Sequence, residues 1–337
     1  MPTRTVNFDG PYDLLRTLAP LARGKYDPTL RLTSGSAWLA LRTAAGPVTL
    51  HVIHDGDRLI GEAWGEGAEL ALERLPQIAG VGPEAPWSGD LRHAPDAVVA
   101  GLARQLPGIR IPATGAVLDA LFPAILEQKV TGSEARRAWL GLLRQHGAPA
   151  PSPSPSPSPA RSPSPSRSPS PSPSPSLAGG PDVGHPDAPT LRLRPEASLL
   201  ARLPAYAYHP FGVEERRAAT IKRAAARADW LEAIVDEPTD VATGRLRSLP
   251  GIGPWTVAEV AVRALGDPDA VSVGDFHLPN LVAWAFARVP RANDARMLEL
   301  LAPYDGRRAL VIRLLEASGL RPPRYGPRLS PRRIEDL

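Results

Sequence analysis

The stretch Leu249-Pro250-Gly251-Ile252-Gly253-Pro254-Trp255-Thr256, followed later by Val273-Gly274-Asp275-Phe276, decides how this chain is interpreted. The Gly-Ile-Gly spacing predicts a tight turn, because residues without a Cβ let the backbone approach another backbone closely. Proline after the second glycine is typical of a helix start, and the free amides there suit a phosphate. The pattern therefore predicts a helix-hairpin-helix, with Asp275, twenty-two residues after Gly253, as a candidate catalytic carboxylate.

Each part of this pattern also has a plainer interpretation. Gly-x-Gly before a helix occurs in many proteins that bind no nucleic acid. An aspartate before a helix is often only a cap, because its oxygens accept hydrogen bonds from the first free amides. The joint spacing of the glycines, Trp255 and Asp275 favours a functional site more strongly than either part of the pattern does by itself.

The quoted residues resemble the helix-hairpin-helix, Gly/Pro-rich, Asp-ending (HhH-GPD) superfamily of DNA base-excision glycosylases, and within it the 3-methyladenine DNA glycosylase II (AlkA) type. The resemblance covers residues 5–145 and 190–325. It implies an α+β fold, with a mainly helical HhH-GPD domain behind a small antiparallel-sheet domain. It also implies a monofunctional hydrolase that flips alkylated purines of the 3-methyladenine type out of damaged double-stranded DNA and excises them in base-excision repair.

The resemblance implies a role for individual side chains. Asp275 would stabilise positive charge on the deoxyribose and orient the attacking water. Bifunctional members carry a lysine where this chain has Trp255, so we expect no lyase activity, and the indole face would attract a cationic base. A core tryptophan is the alternative. Tyr304 resembles a second base-pocket aromatic, whereas Glu259 stands where the AlkA type has a tyrosine and leaves the range of bases open.

DNA contacts are implied for both the hairpin and a preceding turn. The DNA-binding positions are Gly251, Ile252, Gly253, Thr256, Gln128, Lys129 and Thr131. The backbone carbonyls of Arg247, Leu249 and Ile252 match positions that hold a monovalent cation, Na⁺ or K⁺. Lys129 occupies the place of an apolar wedge, so either its methylenes or a neighbouring side chain would fill the gap left by a flipped base. A plain interhelical turn is the alternative.

Composition limits the cofactors and partners. The 337 residues include no cysteine, which excludes disulfides, thiolate zinc sites and a Cys-ligated Fe–S cluster. His51 and His54 lie in an apolar, strand-like run without matching ligands, so we expect no catalytic metal and no other cofactor. The net charge of +4, carried mostly by arginine, is compatible with a polyanionic partner. Without a long apolar run or an apolar leader, we expect a cytoplasmic protein with no membrane contact. The resemblance implies that it associates with the nucleoid and acts as a monomer.

Alternating apolar segments between turn signals predict an antiparallel sheet with one buried face. The segments are Leu30–Thr33, Trp38–Arg42, Val48–Ile53 and Arg58–Trp64, with flanking helices at Pro11–Ala22 and Gly67–Leu75. The expected organisation is an N-terminal α+β domain at 1–88, a helical domain at 89–148 and 190–325, an insertion at 149–189 and a tail at 326–337. Because Pro151–Ser176 is almost pure Pro-Ser, we expect the insertion to be a disordered tether.

Helical periodicity predicts most of the second domain. The segments are Gly115–Val130, Phe211–Trp230, Val241–Arg247, Pro254–Leu265, Phe276–Arg288, Asn293–Leu301 and Arg307–Ala317. The second of these carries Arg216, Arg217, Lys222, Arg223 and Arg227. Such a basic stripe fits a solvated face and a phosphate contact equally well.

Two further functions stay open on the residues alone. One is a non-catalytic helix-hairpin-helix protein that only binds DNA, for which loss of the Asp275 carboxylate would change no chemistry. The other is a glycosylase for oxidised or deaminated bases.

Overall fold

The computed structural model describes residues 2–83, 85, 88–152 and 188–323. The strands are β1 (Thr3–Asn7), β2 (Leu30–Leu32), β3 (Ser36–Thr43), β4 (Gly46–Asp55), β5 (Arg58–Trp64), β6 (Ala148–Pro149) and β7 (Arg192–Leu193). The helices are α1 (Leu14–Leu18), α2 (Ala68–Glu73), α3 (Leu75–Ile78), α4 (Ala97–Gln105), α5 (Val117–Leu126), α6 (Gly132–His146), α7 (Ala197–Arg202), α8 (Glu215–Ala225), α9 (Ala228–Glu232), α10 (Thr239–Arg247), α11 (Pro254–Val260), α12 (Leu278–Ala287), α13 (Asp294–Leu301) and α14 (Arg308–Ala317). The C-terminal tail and the greater part of the Pro-Ser tether lie outside the described residues.

An N-terminal sheet of five antiparallel strands has the order β1-β5-β4-β3-β2. The predicted α+β class is confirmed, and the four strands predicted from alternation are present. The sequence pattern did not identify β1, because Thr-Arg-Thr-Val-Asn offers a single large apolar residue at an edge of the sheet.

The prediction of one buried face is wrong for the central strands, since six of the eight residues of β3 are buried. On the outer face, the Trp38 ring stacks on His51 at 3.8 Å and on Trp64 at 5.5 Å between centroids. Leu191 and Leu193, from the chain that follows the insertion, belong to the same apolar cluster. That returning segment covers a face that alternation alone assigns to solvent.

Helix α5 is the centre of the helical domain, and nine of its ten residues are buried. Its first amides, those of Val117 and Leu118, donate to the carboxylate of Glu232 at 2.8 and 3.1 Å. The guanidinium of Arg194 pairs with Glu232 at 3.1 Å and with Asp119 at 2.8 Å. Burial raises the pKa of Glu232 to about 7, although Arg194 and the two amides oppose the shift.

The predicted basic helix at Phe211–Trp230 is wrong in its extent, because α8 and α9 are separate helices and the chain bends at Arg227. Arg217 is 2% exposed and donates to the carbonyl of Leu126 at 2.8 Å, so it satisfies the C-terminal end of α5. Arg216 and Arg223 remain exposed. The basic stripe is therefore partly a packing surface.

The two domains meet at the end of α11, where the chain continues as a π-helical turn, Ala261–Leu265. The carbonyls of Arg263 and Ala264 accept from the amides of Thr114 and Gly115 at 3.0 and 2.9 Å. Those two amides belong to the helical domain itself, and the link to the N-terminal domain is the guanidinium of Arg263, which donates to the carbonyl of Pro20 at 2.9 Å.

No helix in the described ranges has the length and apolar character needed to cross a bilayer.

The ends of the insertion are held next to each other. Strands β6 and β7 pair, and the amide of Ala150 donates to the carbonyl of Leu191 at 3.0 Å. Arg192 secures the junction by donating to the carbonyls of Leu143 and Gly147 at 2.9 and 2.7 Å. The flanks therefore reach their native positions through contacts that do not involve the residues between them.

Replacing residues 153–187 with about four glycines should preserve the fold. The replacement shortens the loop between the paired flanks by about two halvings, and each halving lowers the entropic cost of closing a loop by about 0.6 kcal/mol. The free energy of unfolding should therefore rise by about 1 kcal/mol. Urea denaturation of the variant beside the wild type measures this difference. A loss of stability would show that the removed residues contribute contacts of their own.

Glu232 should make stability depend on pH. Its pKa is raised from 4.5 to about 7 by burial, so the folded state binds the proton more tightly than the unfolded chain. The contribution is most favourable below pH 4.5 and is lost as pH rises to 7, by up to ~3 kcal/mol. Glu232→Gln should remove this part of the pH dependence in urea unfolding at pH 5 and 8.

Glu237→Gln is the control for that measurement, because Glu237 forms a partly exposed pair with Arg245. A constant difference in unfolding free energy between wild type and Glu232→Gln at both pH values would contradict the prediction.

Candidate active site

Asp275 lies directly before α12 and is half-buried. Its Oδ1 accepts from the backbone amides of His277 at 2.7 Å and Leu278 at 2.8 Å, and its Oδ2 accepts from the indole Nε1 of Trp255 at 3.1 Å. The three donors thus hold both oxygens of the carboxylate in place. Because a carboxylate offers about four acceptor sites, one remains on Oδ2 for an external donor.

Two aromatic side chains flank this carboxylate. Trp255 is half-buried at the start of α11, and its hydrogen bond to Asp275 makes it part of the site rather than an enclosed core residue. Phe276 is 76% exposed and packs edge-on against His277, with ring centroids 4.9 Å apart. The sequence motif alone assigns no role to Phe276, and its place next to the candidate carboxylate is the signal that could have done so.

The two hairpin glycines are required for different reasons. Gly251 has φ +94°, and a Cβ there would lie 2.4 Å from the hydroxyl of Thr220. Gly253 has an extended backbone with φ −96°, and a Cβ there would meet nothing within 4 Å. The predicted close approach of two backbones is therefore wrong: the close neighbour of Gly251 is the Thr220 side chain, and the space beside Gly253 is open.

The turn between α5 and α6 is tied to the hairpin by Gln128. Its Nε2 donates to the carbonyl of Gly251 at 3.0 Å and to the hydroxyl of Thr256 at 2.9 Å. Lys129 beside it is exposed and has φ +54°, so this turn projects a cationic side chain. Arg223 of α8 donates to the carbonyl of Pro250 at 3.1 Å. No sequence pattern connects this helix with the hairpin.

Two predicted DNA-binding side chains have structural roles within the protein. The Thr256 side chain is 2% exposed and accepts from Gln128, so it braces the hairpin from inside. The hydroxyl of Thr131 belongs to a capping box with Glu134 at the start of α6. Both residues shape the surface through the backbone that they hold.

Tyr304 requires a correction to its predicted place in a base pocket. It ends a 3₁₀ turn after α13 and is 4% exposed, with its ring 5.9 Å from that of Phe286. It belongs to the core formed by α4, α12, α13 and α14. The Ala-Pro-Tyr turn directs the ring inward, so the aromatic surface beside Asp275 comes from Trp255 and Phe276 instead.

Glu259 forms a polar cluster behind the site. Its Oε1 accepts from the hydroxyl of Ser272 at 2.7 Å and its Oε2 from Arg263 at 2.7 Å. Arg263 also donates to the carbonyl of Pro20 at 2.9 Å. Burial tends to lower the pKa of Arg263, but the carboxylates of Glu259 and Glu127 outweigh it and raise that pKa.

The hairpin carbonyls offer neutral oxygen ligands. Leu249 accepts from the amide of Ile252 at 3.1 Å, whereas the carbonyls of Arg247 and Ile252 accept no hydrogen bond within the part of the chain that the structure describes. These oxygens fit the ligand set expected of a monovalent cation. In the same residues, no group of three or more His, Cys, Asp or Glu side chains is arranged to hold a metal ion.

No family model matches the chain. A segment of 37 residues is 54% identical to the probable bifunctional transcriptional activator/DNA repair enzyme AlkA of Mycobacterium tuberculosis. This segment spans 11% of the present chain and 8% of the length of that relative.

Solved structures are similar over almost the whole chain. The 3-methyladenine DNA glycosylase from Archaeoglobus fulgidus is 15% identical with a TM-score of 0.68, over 93% of this chain and 97% of that one. The 8-oxoguanine glycosylase/lyase of Clostridium acetobutylicum, in complex with double-stranded DNA containing cytosine opposite 8-oxoG, is 10% identical with a TM-score of 0.60, over 90% of each chain. The chain therefore has the fold of the HhH-GPD DNA glycosylases, as the hairpin and the trailing aspartate predict.

Proposed function

We propose that this protein is a monofunctional DNA glycosylase that excises alkylated purines of the 3-methyladenine type from double-stranded DNA in base-excision repair. The observation that carries the proposal is the Asp275 carboxylate, which three donors hold half-buried while one acceptor site on Oδ2 stays available. The similarity to a 3-methyladenine DNA glycosylase and to a DNA repair enzyme supports the choice of substrate.

The chemistry is hydrolysis of the bond between C1′ of the deoxyribose and the nitrogen of the base. As this bond breaks, its electron pair leaves with the base and positive charge develops on the sugar. Asp275 stabilises that charge and accepts a hydrogen bond from a water through Oδ2. The water oxygen then bonds to C1′, and its proton passes to the carboxylate or to solvent.

The base must leave the helical stack before Asp275 can reach C1′. Trp255 and Phe276 offer aromatic surfaces next to the carboxylate. An alkylated purine is positively charged, and an aromatic face attracts a desolvated cation by up to ~2 kcal/mol. This attraction and the weakened pairing of a damaged base together favour the lesion over a normal purine.

The position of the amines supports a mechanism without lyase activity. A lyase needs an amine at C1′ to form a Schiff base. The chain has three lysines, at positions 25, 129 and 222. Lys222 donates to the carbonyl of Leu203, and Trp255 occupies the hairpin position at which bifunctional members carry the amine. The product is then an abasic site in an intact strand.

DNA is held through one phosphate at the hairpin. The amides of Gly251, Gly253 and Trp255 bind it, and the open space beside Gly253 admits it. The carbonyls of Arg247, Leu249 and Ile252 would hold Na⁺ or K⁺, which supplies positive charge toward the phosphate when bound. Such contacts position the duplex without reading its sequence. The protein acts on the duplex as a monomer.

Asp275→Asn should abolish base release and leave DNA binding intact. The amide cannot balance the positive charge of the sugar, so the single-turnover rate of excision should fall by at least about 10²-fold. The dissociation constant for a duplex carrying an abasic-site analogue should change by less than about threefold, because the hairpin supplies most of the affinity. Asp305→Asn, which alters an exposed carboxylate, is the matched control.

The same assay covers single-lesion duplexes that contain an alkylated purine, 8-oxoguanine, uracil or hypoxanthine, each with and without alkali. Cleavage of the alkylated duplex only after alkali supports the proposal. Release of another base in its place would change the substrate class, strand breaks without alkali would contradict the monofunctional mechanism, and no release from any duplex would leave a protein that only binds DNA.

Gly253→Ala should weaken DNA binding without harming the fold. Its backbone conformation suits alanine, so the free energy of unfolding should be unchanged or up to about 1 kcal/mol higher. The added methyl enters the space assigned to the phosphate, so the dissociation constant should rise about tenfold, or ~1.4 kcal/mol. Fluorescence anisotropy with a labelled duplex measures the binding.

Two other glycines complete this test. Gly251→Ala should lower stability by about 1–3 kcal/mol, because of its positive φ and its contact with Thr220. Gly101→Ala, in α4, also adds a methyl to open space and should leave DNA binding unchanged. Equal dissociation constants for Gly253→Ala and Gly101→Ala would contradict the proposed phosphate site at the hairpin.

A further inference from the structure

The turn that carries Asp275 is fastened to α11 at two points. Trp255 donates to Asp275 at 3.1 Å, and Glu259 accepts from the hydroxyl of Ser272 at 2.7 Å. Trp255 and Glu259 are four residues apart, so they lie on one face of the helix, one turn from each other. The amide of Asp275 donates to the carbonyl of Ser272 at 3.1 Å and closes the turn. The position of Ser272 therefore helps to set that of the carboxylate.

Glu259 is itself held rigidly. Its second oxygen accepts from Arg263 at 2.7 Å, and the side chains of this pair are only 14% and 17% exposed. Arg263 in turn donates to the carbonyl of Pro20 in the N-terminal domain at 2.9 Å. A chain of hydrogen bonds thus runs from Pro20 through Arg263 and Glu259 to Ser272, which we call the carboxylate relay.

The turn has few other attachments. Gly274 has φ +94° and nothing within 4 Å of the place where a Cβ would stand, so its neighbours do not pack against it. Its amide donates to Asp294 at 3.1 Å, in the first turn of α13. Val271 before the turn and Leu278 after it pack in the core of α4, α12, α13 and α14. Between these two residues, the hydrogen bonds of Ser272 and Asp275 hold the turn in place.

We propose that Glu259 and Ser272 are positioning residues for catalysis, and that the carboxylate relay gives the N-terminal domain a part in placing Asp275 against C1′. The inference rests on the proposed function of Asp275. Glu259 acts on the reaction through Ser272 and the turn, and its own charge is balanced by Arg263.

The first test is Ser272→Ala, which removes a single hydroxyl. A displacement of about 1 Å at a reacting group can cost 10²-fold in rate, so the single-turnover rate should fall by about 10–100-fold. The dissociation constant for an abasic-analogue duplex should change by less than about twofold, because the hairpin is untouched. Ser318→Ala, which removes a hydroxyl bonded at the end of α14, should leave the rate unchanged.

Glu259 variants test whether the two residues act together. Glu259→Ala should lower the rate as much as Ser272→Ala does, and the double variant should be no slower than either single one. Glu259→Gln keeps an oxygen that can accept from Ser272, so it should retain more of the rate than Glu259→Ala. Multiplied losses in the double variant, or a rate for Glu259→Gln no better than for Glu259→Ala, would overturn the relay.

Amide hydrogen exchange provides a readout that needs no activity. In Ser272→Ala, the amides of His277 and Leu278, which donate to Asp275, should exchange at least about tenfold faster as the turn loosens. Amides in α4 should keep their wild-type rates. If the wild type released no base from any duplex, the proposed function would be wrong, but the exchange measurement would still test the carboxylate relay. Unchanged exchange at His277 and Leu278 would overturn the carboxylate relay.

Discussion

The hydrogen bond from the Trp255 indole to Asp275 is the interaction on which the site depends. Trp255 stands at the start of the helix that follows the hairpin, so its position is fixed by the hairpin turn. Asp275 stands before a different helix. The bond sets the separation between the two segments. In the proposed function, this separation determines where the sugar of a duplex anchored at the hairpin meets the carboxylate.

The rest of the helical domain supports this arrangement through helix ends rather than through apolar contact alone. Glu232 caps the start of α5 and Arg217 satisfies its end, so the buried central helix leaves few backbone groups unpaired. From the turn after α5, Gln128 reaches the hairpin and fixes the loop that bears Lys129. Hydrogen bonds donated by Gln128 and Trp255 therefore link this loop, the hairpin and the turn that carries Asp275.

Sequence could predict the features that depend on local chemistry. The hairpin glycines, the trailing aspartate and the four alternating strands follow from neighbours a few residues apart. The errors depend on tertiary structure. The outer face of β3 is buried by a segment that returns after the insertion, Arg217 is buried because it completes another helix, and Tyr304 turns into a core that its local sequence does not specify. The bond between Glu259 and Ser272 joins residues with no shared motif, so no pattern signals it.

The choice of donors around Asp275 bears on its chemistry. Other carboxylates near the hairpin face cations, as Glu259 faces Arg263 and Glu127 faces Arg23. Within the described ranges, Asp275 forms no ion pair and is held by two amides and an indole instead. Neutral donors hold the carboxylate without placing a counter-charge beside it. In the proposed mechanism, Asp275 can therefore balance the positive charge that develops on the sugar.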